Sequence, residues 1–80
     1  MKSFEDWLKY IEEEIEKTNI SEPCRCSLLV RLYALKINRT LSDLKNLMRW
    51  LHHYKLPHLC PTLDEIDNWI QQGAIRTLQL

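Results

Sequence analysis

The side chains best suited to chemistry are three cysteines and three histidines in an 80-residue chain. Cys24 and Cys26 form a Cys-x-Cys, His58 and Cys60 a His-x-Cys, and His52 and His53 lie a few residues before the second pair. Thiolate and imidazole together are the donors of a tetrahedral zinc site. The spacing argues against one. In a helical first turn, side chains two residues apart point about 200° from each other, so Cys24 and Cys26 cannot easily share an ion. Cys24 near a helix N-terminus could be a lowered-pKa thiol, but the sequence assembles no Cys–His–acid set around it. The expectation is inert cysteines, no metal and no cofactor.

Acid–base catalysis has no better footing. Asp64, Glu65 and Asp67 fall in the first turn of a helix and His52 and His53 near the end of another, where the helix dipole favours those charges without any catalytic role. No phosphate-binding loop, nucleophile elbow or paired-carboxylate motif occurs. The chain reads as non-enzymatic.

The elements around these residues are helices. The run Leu28 to Ile37 (LLVRLYALKI) is the most apolar in the chain. Wound as a helix, it places Leu28, Leu32 and Leu35 on one flank and Val30, Tyr33 and Ile37 on another, so it is expected to be the most enclosed helix of a bundle. Ser3 caps a helix over about 4–18, whose narrow apolar stripe is Phe4, Trp7, Leu8, Ile11 and Ile15. Ser21, with Glu22 and Pro23 behind it, starts the central helix at 22, which runs to 38. Thr40 with Asp43 starts a third, 41–55, apolar over about half its circumference along Leu41, Leu44, Leu47, Met48, Trp50, Leu51 and Tyr54 and polar along Ser42, Lys45, Asn46, Arg49, His52 and His53. Thr62 with Glu65 forms a capping box for a fourth, 63–72, stopped by Gly73. The fold class is all-α, a compact four-helix domain occupying 1–80 as one unit.

Charge is neutral overall but segregated: residues 1–22 sum to −4, residues 23–58 to +6 and residues 59–80 to −2. Two binding readings follow. A protein partner, or a second copy of the chain, would use surplus apolar and aromatic surface, with Tyr10, Ile75, Leu78 and Leu80 as candidates. The alternative is nucleic acid, held by a basic face of Lys45, Arg49, His52 and His53 and extended by Arg31 and Arg39, since clustered cations are what phosphates require. Regulation or assembly through a protein contact is the favoured function.

The stretch Asp43-Leu44 through Trp50-Leu51-His52-His53, followed by Leu63-Asp64-Glu65-Ile66, resembles the helical core-binding domain of tyrosine recombinases over about a third of the chain. That resemblance implies contact with DNA. LSDLKNLMRWLHH also resembles a helix of the matrix domain of some deltaretroviruses, which implies approach to an anionic membrane. The recombinases' catalytic motif and the glycine needed for myristoylation are both missing, and no residue role is carried over from either family. An odd cysteine count, an acidic N-terminus unlike a secretory signal and no apolar run of membrane-spanning length lead to an expected reducing, cytoplasmic setting.

Overall fold

A computed structural model describes residues 2–77, and within them four α-helices and one short 3₁₀ turn. Helix α1 spans Phe4–Lys17, α2 Glu22–Asn38, α3 Leu41–His53 and α4 Leu63–Gln71, with the 3₁₀ turn at Pro57–Leu59 in the connector before α4. All four starts are capped by side chains. Ser3 Oγ accepts from the Asp6 N–H at 3.1 Å, Ser21 from Cys24 at 3.4 Å and Thr40 from Asp43 at 3.1 Å. Thr62 and Glu65 make a full reciprocal capping box. Each cap satisfies an amide that the first turn would otherwise leave unpaired.

The C-termini of α2, α3 and α4 use left-handed residues, Arg39, Lys55 and Gly73, whereas α1 ends on an extended Thr18. After α4, Gly73 sits at φ 77°, its N–H donates to Ile70 O at 3.1 Å and Ala74 N–H donates to Trp69 O at 2.9 Å. This is a Schellman closure, and glycine adopts it without steric cost. After α3 the same pair of bonds is made with Lys55 at φ 63°: Lys55 N–H donates to His52 O at 3.0 Å and Leu56 N–H to Leu51 O at 2.7 Å. A side chain in that conformation costs about 1 kcal/mol, so the tight turn into Leu56 is held by packing. It also ends α3 at His53, two residues before the expected end at 55.

The contacts set the topology. Arg39 pairs with Glu5 and Lys36 with Glu12, while Arg25 reaches the end of α1, so α1 runs antiparallel to α2 along one side. The α2–α3 turn is short, and Arg31 of α2 stacks on Trp50 of α3, which places α3 antiparallel along the other side. Leu28, Leu32 and Leu35 of α2 point between them into one continuous core with Ile11, Ile15, Leu44, Leu47 and Leu51. At the far end Phe4, Trp7 and Trp69 pack ring against ring with centroids 5.3 to 6.4 Å apart. Both indoles are satisfied: Trp7 Nε1 donates to Leu59 O at 3.2 Å and Trp69 Nε1 to Lys2 O at 3.0 Å. After α4, Ile75 enters the core, and Arg76 pairs with the α2–α3 turn through Arg76 N–H to Arg39 O and Leu41 N–H to Arg76 O, both 2.8 Å. This bridge between Thr40 and Arg76 is isolated; no strand forms among the described residues.

One expectation about the fold is corrected. Helix α2 is central but not the most enclosed element. Val30, Tyr33 and Ile37 are 63, 44 and 79% exposed. Only α1 and α3 flank α2. Helix α4 and the tail are committed to Trp7, Phe4 and the α2–α3 turn, so nothing described covers the side of α2 that faces away from the core.

Candidate interaction surface

The sulfur and imidazole groups do not converge. Cys24 is half-buried and Cys26 exposed on the first turns of α2, whereas Cys60 lies in the connector with its thiol toward Met48 O at 3.9 Å. Among the described residues no three His, Cys, Asp or Glu side chains come together as ion ligands. Burial pushes the Cys60 thiol pKa up, away from the reactive thiolate. His58 is exposed on the 3₁₀ turn.

The basic middle of the chain divides in two. The cations of α2 are engaged internally. Arg25 donates to the carbonyls of Ile15, Glu16, Thr18 and Ile20, closing the end of α1 from outside that helix, and pairs with Glu22. Arg31 bonds Ser27 O and Oγ, both at 2.9 Å, and lies 4.1 Å from the Trp50 ring centroid. Lys36 pairs with Glu12, and Arg39 pairs with Glu5 beside the Phe4 ring. The Lys36 hydrogen bond, aided by its charge and by the Tyr33 hydroxyl, lowers the Glu12 pKa despite opposing desolvation. The segregated charge is therefore largely the complementarity of α1 for α2. Arg31 and Arg39 belong to those internal contacts and do not widen the α3 face.

On α3, Lys45, Arg49, His52 and His53 are exposed, and Lys45 and Arg49 form no ion pair with any described residue. Lys45, Asn46 and Arg49 border a shallow depression of about 410 Å³ that also takes in Asp43 and Thr77. The acid inside it offsets part of the positive field. His53 sits edge-on to Trp50 and Tyr54 at 5.3 and 5.1 Å, fixing that end of the face.

Two of the four residues expected at a protein contact, Tyr10 and Ile75, are packed against or within the core rather than on an open surface. Tyr10 is half-buried against the core with Lys2 Nζ 4.6 Å over its ring, and Ile75 is 2% exposed within the core. Leu78 and Leu80 lie outside the described residues.

An aligned set of open apolar residues lies on α2, where enclosure was expected; Leu63, the first residue of α4, is 83% exposed as well. Cys26, Val30, Tyr33 and Ile37 follow one another at intervals of four, three and four, so they align along one stripe. At 100° per residue, Pro23, Ser27, Ala34 and Asn38 fill the same half of the helix beside that stripe, and none of them is charged. Solvent-facing helix surface is ordinarily charged or polar. The signal was available: the 4-3-4 spacing sits directly opposite the Leu28, Leu32, Leu35 stripe, with every cation of α2 on the flanks between them.

Comparison with protein-family models, with curated proteins and with solved structures finds no match to this chain. No helix among the described residues is long and apolar enough to cross a membrane.

Proposed function

We propose that the chain is a small non-enzymatic protein-binding module whose contact surface is the outward face of α2. The observation that carries this reading is an exposed, uncharged apolar stripe on a well-capped helix whose opposite side is core, with Ile37 79% and Val30 63% exposed. Scattered exposed apolar residues need no explanation, but a contiguous patch signals a binding surface. Protein is favoured over nucleic acid because Arg25, Arg31, Lys36 and Arg39 all have intramolecular partners. The competing DNA or RNA reading is left with Lys45, Arg49 and two exposed histidines.

The test is site-specific photo-crosslinking in the producing cell. A benzophenone side chain at position 30 is expected to give protein adducts, and the same group at position 45 is expected to give few. The opposite ranking overturns the assignment. Salt-steep binding of labelled duplex DNA, lost on Lys45→Glu with Arg49→Glu, would move the function to α3.

A further inference from the structure

We infer that the occupant of the α2 face is a second copy of this chain, packed helix to helix in parallel about a two-fold axis that runs along α2. The inference rests on the reading of that face as a protein contact and names its partner.

Three observations lead there. The first is spacing. Cys26, Val30, Tyr33 and Ile37 occupy alternate d and a positions of two heptads, with β-branched Val30 and Ile37 at a. That choice favours a parallel two-stranded seam. The small residues Ser27 and Ala34 stand seven apart on one flank and allow close approach.

The second is the lack of charge on the face. An isologous contact sets each residue near its own symmetry mate, so a charge near the axis meets its like. Between Pro23 and Asn38 the outward half of α2 has none to oppose, and the two charges at its border are paired within the chain: Glu22 with Arg25, and Lys36, which lies over the Tyr33 ring, with Glu12.

The third is the charge on either side. Helix α1 lies along one edge of α2 and α3 along the other. A two-fold axis parallel to α2 carries α1 of one copy over to α3 of the other at the same height. Glu13 and Glu16 on α1 then face the side that bears Arg49 and His53, all four exposed. An antiparallel arrangement would set acidic α1 against acidic α1 and basic α3 against basic α3, which is repulsive.

The size is consistent with a reversible dimer. A 17-residue helix is about 25 Å long. Two interhelical spacings add a width of about 20 Å, giving roughly 500 Å² per copy. That lies at the low end of specific interfaces.

The experiment is sedimentation from about 5 to about 500 µM, followed by mild oxidation of single-thiol variants with diamide as the oxidant. One variant keeps Cys26 alone through Cys24→Ser and Cys60→Ser. The other carries Ile37→Cys with all three native cysteines replaced by serine. The expected results are concentration-dependent growth towards twice the chain's mass and disulfide dimers of each variant with itself. Val30→Glu should abolish both, with unchanged helical circular dichroism because that position faces solvent. Disulfides formed only in the mixture of the two variants overturn the parallel arrangement. A single-chain mass at every concentration overturns the second copy. In that case position-30 photo-adducts with another protein would keep the module reading standing, and no position-30 adducts would remove both.

Discussion

The two sides of α2 carry almost the same kind of residue and meet opposite fates. Leu28, Leu32 and Leu35 are fully buried, whereas Val30, Tyr33 and Ile37, on the same helix, are largely exposed. Hydrophobicity alone cannot distinguish them. What separates them is which cations border each side and what those cations reach. Arg25, Lys36 and Arg39 lie on the flank toward α1 and find its carbonyls and carboxylates. Arg31 lies on the flank toward α3 and stacks on Trp50. These polar edges seat α1 and α3 around the leucine side and leave the other side open. The result is a helix that is core on one side and exposed apolar surface on the other.

The contrast breaks most readily at Leu32. Leu32→Ala should cost about 2–5 kcal/mol in denaturant unfolding, since it opens a void in a filled core. Val30→Ala should stay within about 0.5 kcal/mol at concentrations that keep the chain monomeric. Comparable losses at both positions would mean that the outward side is core after all. A smaller effect is expected at the edge. The Glu12 pKa is held below its ordinary value, so the pair with Lys36 adds stability above about pH 4.5 and loses it as pH falls through the lowered value. Both side chains are about a third exposed. Glu12→Gln should therefore cost no more than about 1 kcal/mol at pH 7. The gap to the parent protein should narrow as unfolding is measured at pH values falling below 4.5. A gap that does not change with pH would assign the contact to packing or neutral hydrogen bonding rather than charge. The smallest effect belongs to the ordinary solvated face of α3. Lys45→Ala should shift stability by less than about 0.5 kcal/mol and leave sedimentation unchanged. A larger shift in mass would transfer the binding surface to α3.

Much of the fold was legible because it is written locally. Ser3, Ser21, Thr40 and Thr62 each sit where a helix needs an acceptor, and all four helices begin where those residues predict. Gly73 marks its stop for the same reason. Lys55 gives no such sign: a lysine in the left-handed region depends on the packing of Leu56, which a local reading cannot see. The surface was harder. Periodicity identified two apolar flanks of α2 but not which one would be covered, because coverage depends on how far α1, α3 and α4 reach. The segregated charges suggested an external partner, yet most of those on α2 bind α1. Ile75, expected at the surface, is drawn inward by the backbone pairing of the tail.

That pairing has a kinetic consequence. Contacts along α1, α2 and α3 join segments adjacent in the chain, and such local topology closes quickly. The Thr40–Arg76 bridge and the Trp69–Lys2 bond join distant ones, and they can form only after α4 has arrived. Closing such long loops carries an entropic cost that the three helices avoid. Helix α4 and the segment through Arg76 are thus expected to act as a latch that seats last and opens first. Native-state hydrogen exchange should then find the amides of Leu41 and Arg76 opening ahead of those around Leu32, and equal protection at both places would deny the latch.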